Sequence, residues 1–335
     1  MTTLVTGGTG FVGLNLLEQL LGRGDEVVCL AINALPAAAA RDFAKLPGKL
    51  HAVHGDVTDP GSIDDAIARF GCRRMIHAAA ITAGTGRDEL EPARVVEVNL
   101  LGTINALQAA RKAKIERFVY PSTGGHFGAA GIAVGHLLDE EADRPVPNSM
   151  YGISKYAAER TVLRLGALWS MDVRIGRVAV VYGRWEYETG LRDAMTTVLQ
   201  ATRLAMAGGE AVFPKLGAAD WIYSVDIARA LTILLDAPIT KHRLYHLAIE
   251  SPFDMMAWCE RLQNRYPAFR FRESTRLEDC NIAPLAAFRT PFSGRRLREE
   301  FGFAPIFALD TAFDDYMLWL AAHRDFFDTG KRLVT

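Results

Sequence analysis

An α/β fold is predicted for this chain of 335 residues: a Rossmann-like, doubly wound parallel sheet followed by a smaller C-terminal mixed α/β domain. Three observations predict it. Apolar segments of strand length alternate with helical patterns as far as residue 178, which implies a parallel sheet covered by helices on both faces. A glycine turn, TGGTGFVG at 6–13, stands between the first apolar segment, Thr3-Leu4-Val5, and the first helical pattern, 11–21. Beyond Tyr182 the alternation loosens, so the chain divides into a large domain over 1–181 and a smaller one over 182–335, with interleaved segments allowed.

Taken in order, the glycines at 7, 10 and 13 permit a tight turn, close approach of bare backbone to a pyrophosphate, and close packing of helix on strand. The amides opening that helix face an anion. Residues 26–32 (EVVCLAI) read as a second strand, with the alanine run at 37–40 as a helix start. Residues 50–54 form a third strand, leading into the loop Gly55-Asp56-Val57-Thr58-Asp59. Further strands fall at 74–79 and 117–121, with a long helix over 91–112 between them, followed by a helix over 149–169 and a strand over 172–178. The later region carries helical patterns at 190–206, 225–235, 253–265 and 309–322, and short strands near Ala211 and at 244–248. It reads as a cap for substrate.

Composition narrows the function. Half of the residues are hydrophobic, and 38 basic against 39 acidic residues leave a net charge of −1 without long runs of either sign. Such a chain builds a substantial core and has no electrostatic case for nucleic acid or an anionic membrane. Cys29, Cys72, Cys259 and Cys280 are scattered without a Cys-x-x-Cys pair, and no HExxH or carboxylate cluster suggests a metal. No window approaches eighteen consecutive apolar residues, and a cytoplasmic protein is expected.

Tyr151-Gly152-Ile153-Ser154-Lys155 opens a helix, and a spacing of four puts phenol and ammonium on one face. A phenol ionises at about 10 in water. A positive charge a few ångströms away favours the phenolate, which suits Tyr151 to general acid and base work.

These pieces occur in an ordered set: TGGTGFVG at 6–13, GDVTD at 55–59, HAAA at 77–80, VNLLGTINAL at 98–107, YPSTGGHFG at 120–128 and YGISK at 151–155. The set resembles the extended short-chain dehydrogenase/reductase family, also called the NAD-dependent epimerase/dehydratase family. The resemblance continues through DWIYSVDIARAL at 220–231 and RRLREEFGFAP at 295–305. It implies a nicotinamide cofactor on the glycine turn, held by Gly7, Thr9, Gly10, Phe11, Val12 and Gly13. Asp56 and Val57 take the adenine, Ala78, Ala79 and Ala80 line the adenosine and ribose, and Asn99 is the helix asparagine that steadies the neighbouring strand's backbone. The implied catalytic triad is Thr123, with Ser122 as its alternative, Tyr151 and Lys155, the lysine also binding the nicotinamide ribose. By the same resemblance the helices carrying Asn99 and Tyr151 pair two copies into a homodimer.

Departures from the family pattern refine the expectation. The acidic residue that marks NAD use at the end of the second strand is Ala31, and the arginine that marks NADP use is Ile32. Asn33 remains as a ribose hydrogen-bonding group, and Arg41 and Lys45 as more distant candidates for a 2′-phosphate, so NAD is expected with NADP not excluded. The asparagine and arginine that hold a sugar nucleotide's diphosphate are Val180 and Ala219, and Gly124-Gly125 replaces the dehydratases' acidic pair. A smaller alcohol or ketone is therefore expected. Arg184 and Arg192 are candidate clamps for a carboxylate on it, and His126 a candidate hydrogen-bonding or proton-carrying group. The 120–128 and 150–155 stretches are also similar to those of epimerase-like L-threonine dehydrogenases, which extends the expectation to a small amino or hydroxy acid. The expected activity is an NAD(P)-dependent oxidoreductase working on a CH–OH or C=O group of a small polar substrate. The alternative is a sugar or nucleotide-sugar epimerase with tightly bound NAD.

Overall fold

In the computed structural model, residues 1–131, 135–215, 220–250, 253–283 and 290–328 are described. The first half alternates strand and helix: β1 Thr3–Thr6, α1 Phe11–Gly22, β2 Glu26–Ala31, α2 Ala37–Phe43, β3 Lys49–His54, α3 Pro60–Phe70, β4 Arg74–His77, α4 Thr85–Leu90, α5 Pro92–Val96, α6 Gly102–Lys112, β5 Arg117–Thr123, α7 Met150–Leu168 and β6 Val173–Val178. The second half supplies β7 Val180–Tyr182, α8 Thr197–Met206, β8 Glu210–Pro214, β9 Trp221–Tyr223, α9 Ser224–Asp236, β10 Leu244–Leu247, α10 Met255–Arg265, β11 Arg270–Ser274, α11 Arg295–Phe301, α12 Leu309–Ala322 and α13 Arg324–Asp328.

The main sheet runs β10-β6-β5-β4-β1-β2-β3 with every pairing parallel. Its central strands are buried on both faces, as in β1, where all four residues are inaccessible or nearly so. One core lies beneath α1, α2 and the C-terminal helices, the other beneath α3, α6 and α7. The chain leaves β1 toward β2 on one side and later passes to β4 on the other, so the strand order reverses between β1 and β4. A crevice opens at such a switch point, at the strands' carboxyl ends.

Segments beyond 182 contribute to the layers of the large sheet: α9 packs on α1 and β10 pairs with β6. Two helical expectations change. The helix expected over 91–112 is interrupted by a π-turn, Glu97–Leu101, that carries Asn99. The helix expected from 190 begins only at Thr197, capped by Thr196 Oγ1, which accepts the Leu199 amide at 3.1 Å. The preceding amides are spent elsewhere: Asp193 N donates to the Thr82 carbonyl at 3.1 Å and Thr196 N to Glu186 Oε1 at 2.7 Å.

Two small parallel pairs, β7 with β9 and β8 with β11, complete the second half. Trp185 anchors the segment after β7. It is fully buried against Phe43, Trp319, His323 and Phe326, and its indole N–H donates to Glu18 at 2.9 Å. That ring ties α1 and α2 to the last helices.

Candidate active site

At the switch point lies a cleft of about 720 Å³ whose walls include the turn after β1, the ends of β2 and β4, and the start of α7. Its floor is a backbone cradle. Gly7 has φ +66°, and a Cβ there would stand 2.6 Å from Ala79 Cα, while one on Gly13 would stand 2.3 Å from the Gly7 carbonyl oxygen. Only glycine allows the turn to lie against the loop after β4 and α1 to lie against the turn. The first-turn amides of α1 have no carbonyl partner within the helix. No side chain caps this helix and no acidic residue stands in its first turn, so the positive end of the helix faces the cleft unopposed.

Thr9, Gly10, Phe11 and Val12 line the cleft with Ala78, Ala79 and Ala80, whose small side chains leave room above β4. At the far wall, Asp56 accepts the Thr58 amide at 2.9 Å and pairs with Arg94 Nη2 at 2.9 Å. These partners, working against partial burial, hold its carboxyl below the ordinary carboxylate range. Val57 packs on Gly102, and Asn33, beyond β2, donates to the Thr189 carbonyl at 3.2 Å. Arg41 and Lys45 are engaged by Asp42 and do not line the cleft. The set suits an adenine dinucleotide: an anion cradle, an apolar trough and a carboxylate at its end.

Asn99 serves the backbone and does not reach the cleft. It is buried and absent from the cleft wall, because its side chain is spent on the backbone of Ile81, accepting its N–H at 2.8 Å and donating to its carbonyl at 3.0 Å, and on Ser154 Oγ at 3.0 Å. It fixes the loop after β4 against α7.

Thr123 ends β5, and Tyr151 and Lys155 sit one turn apart on α7; all three line the cleft. A Cβ on Gly125 would lie 3.3 Å from Thr123 Oγ1 and 3.4 Å from Tyr151 Cε1, so hydroxyl and ring flank one point. Lys155 is 3% exposed. Its ammonium donates to the Pro121 carbonyl at 2.8 Å and lies 4.0 Å from the centre of the Tyr120 ring. Burial pulls its pKa down to about 7, opposed by the negative charge of Glu159 one turn further along α7.

Beneath this floor runs a buried polar chain that the sequence reading did not identify. Glu159 accepts from Ser122 Oγ at 2.7 Å and takes a two-point contact from Arg177, at 2.8 and 3.0 Å; all three are buried. Arg177 continues to His246 at 3.3 Å, and His246 Nδ1 to the Leu138 carbonyl at 3.1 Å. Burial and the neighbouring guanidinium push His246 down to about 3, which leaves it neutral. The signal for Glu159 lay in the sequence, four residues past Lys155 on the same helical face. For Arg94 and Arg177 no local pattern distinguished them from surface and strand arginines.

The four substrate candidates separate. Ser122 lines the cleft, but its hydroxyl is directed to Glu159. His126 is fully buried outside the cleft, against the Phe127 and Tyr156 rings and 3.8 Å from Glu159, because the turn after β5 folds it under α7. Arg184 also lies outside, in a two-point pair with Asp315 of α12. Arg192 lines the cleft, with its guanidinium carbon 5.3 Å from the centre of the Phe11 ring and Nη1 2.9 Å from Glu186 Oε1. Val180 also lines it, while Ala219 lies outside the described residues. Among the described residues, no three His, Cys, Asp or Glu side chains gather to hold a metal ion, and no helix is long and apolar enough to cross a membrane.

Comparison with known proteins places this geometry. The family model for the NAD dependent epimerase/dehydratase family matches residues 3–248. A sterol demethylase protein B of Methylococcus capsulatus is 31% identical over 245 residues, covering 72% of this chain and 68% of the relative. A dTDP-glucose 4,6-dehydratase of Streptomyces niveus is 26% identical over 356 residues, covering 99% of this chain and 96% of its own length. The crystal structure of dTDP-glucose 4,6-dehydratase from Bacillus anthracis, solved in complex with NAD, superposes with a TM-score of 0.81 at 17% identity, covering 99% of this chain and all of that one. That last likeness shows the fold.

Proposed function

The chain belongs to the NAD-dependent epimerase/dehydratase family, and from that premise we propose that it is an NAD-dependent oxidoreductase acting on the CH–OH or C=O group of a small polar substrate. The observation that carries the reading is the single point flanked by the Thr123 hydroxyl and the Tyr151 ring, in a cleft that the buried Lys155, one turn along α7, also lines. Bound NAD supplies the acceptor for hydride in oxidation, and its reduced form the donor in reduction. Thr123 Oγ1, held by the Gly125 amide at 3.0 Å, orients the substrate oxygen. Tyr151 takes the proton from that oxygen in oxidation and returns it in reduction. Lys155 in its charged form favours the phenolate. Val180, an apolar side chain on the cleft wall, offers nothing to a sugar nucleotide's diphosphate, which supports a smaller substrate.

The test is a panel of small hydroxy acids, amino alcohols and polyols, with NADH absorbance followed alongside product analysis. Steady net formation of NADH with one of them supports the reading. Conversion of a sugar or sugar nucleotide without net NADH would overturn it in favour of an epimerase that keeps its NAD bound. That second reading has an observation of its own, the segment Thr189 to Arg192, which ties to both sides of the cleft.

Lys155 gives a pH-dependent expectation. With a pKa of about 7 in the unliganded protein, its amine is mostly neutral at about pH 8. An anionic dinucleotide favours the ammonium and raises that pKa, so binding takes up protons, and affinity falls as pH rises above the unliganded value. Calorimetry in two buffers of different ionisation enthalpy should show net uptake, absent in Lys155→Met. Zero uptake by the unaltered protein would show that the lysine does not respond to the ligand.

A further inference from the structure

We propose that residues 187–194 form a strap over the dinucleotide cleft and that Arg192, carried on it, is a cationic contact for the diphosphate of the cofactor; this rests on the dinucleotide reading above. The strap crosses the ends of three adjacent strands. Beyond β2, Asn33 donates to the Thr189 carbonyl at 3.2 Å. In the turn after β1, the Thr9 carbonyl accepts the Tyr187 hydroxyl at 2.7 Å. Beyond β4, Thr82 N donates to the Leu191 carbonyl at 2.8 Å and the Thr82 carbonyl accepts Asp193 N at 3.1 Å. Both ends are fixed at one carboxylate: Glu186, buried, accepts Thr196 N at 2.7 Å and Thr196 Oγ1 at 2.5 Å. Arg87 secures the outer edge through Asp193 and the Gly190 carbonyl. A compact loop with closed ends and bonds across a cleft is built to cover it.

Arg192 is the cation that this strap brings inside. Its side chain is 14% exposed, stands over the ring of the first residue of α1, and has the Glu186 carboxylate behind it. Glu186 carries one negative charge, already shared with Thr196, whereas a dinucleotide diphosphate brings two. A carboxylate on the reacting substrate is the competing partner. Position favours the cofactor: the backbone of Arg192 bridges Thr82 beyond β4, and its guanidinium reaches over the ring of Phe11, where α1 and the glycine cradle begin, while Thr123 stands apart at the end of β5. The diphosphate, whose cradle begins at Phe11, is the nearer anion.

The experiment measures dissociation constants of NAD, ADP-ribose and adenosine by calorimetry for the unaltered protein, Arg192→Lys and Arg192→Gln. Loss of one charge-assisted contact predicts that Arg192→Gln weakens NAD and ADP-ribose about tenfold or more, with adenosine unchanged and most affinity kept by Arg192→Lys. Equal affinities for Arg192→Gln and the unaltered protein, or an equal loss for adenosine, would overturn the assignment while leaving the dinucleotide reading intact. Failure of the unaltered protein to bind NAD or ADP-ribose would overturn both. The strap is read separately: Tyr187→Phe keeps the ring and deletes one tie, so NAD should dissociate about two- to tenfold faster, and an unchanged rate would refute closure by this segment.

Discussion

Replacing Tyr151 by phenylalanine should lower turnover by about 10²- to 10⁴-fold, the usual contribution of a positioned proton carrier, while changing NAD affinity by less than about threefold. The ring fills the same space and the partners of its neighbours are untouched: Lys155 keeps the Pro121 carbonyl, Thr123 keeps the Gly125 amide, and the Ser149 cap of α7 remains. Only the hydroxyl goes. Because the phenol acts in the transition state, kcat and kcat/KM should fall together, with KM nearly constant. Steady-state rates with the substrate found by the panel, and a fluorescence titration with NAD, check the two halves. Retention of more than a tenth of the activity would remove Tyr151 from its proposed role and shift attention to Thr123.

The second large effect is on stability. Arg177→Met should cost about 3–5 kcal/mol, the penalty for leaving one member of a buried ion pair alone. Against a typical total of about 5–15 kcal/mol, that is a severe loss. Glu159 sits fully buried and would retain the Ser122 hydroxyl but lose both guanidinium contacts. Urea denaturation followed by circular dichroism should show a lower midpoint with an unchanged slope. The double variant Glu159→Gln with Arg177→Met should recover part of the loss, because neither member of the pair is then left charged without the other; a double variant as unstable as the sum of the singles would mean that the pair is not coupled. The same network lies under Thr123 and alongside Lys155, so any recovered fold can be examined for a displaced catalytic floor by the NAD titration.

The parts read correctly in advance were those encoded within a few neighbouring residues. The glycine spacing in 6–13 needs no distant contact, since a positive φ at Gly7 and the close contacts at Gly13 are local requirements of a strand–turn–helix unit. The apolar strands announced a parallel sheet because both of its faces are covered. Tyr151 and Lys155 share a face by helical geometry alone. Reading failed where a side chain's fate depended on a partner far along the chain. His126 and Arg184 carry the right chemistry for a substrate site, yet one is folded under α7 and the other is claimed by Asp315, 131 residues away. The helix expected over 190–206 has adequate propensity, but its first seven residues gain more from bonds to Thr82 and Glu186.

By itself, then, the order of residues determined the parallel sheet, the glycine turn between β1 and α1, and the placing of Tyr151 and Lys155 on one face of α7, because each follows from backbone periodicity or from spacing within one element. Which arginine faces the cleft, what neutralises Glu159, and how the segment after Trp185 lies across the strand ends were decided only in three dimensions. Hydrogen bonds and ion pairs at 2.5–4 Å select among chemically equivalent side chains by position, and position for residues a hundred or more apart is set by how the layers pack.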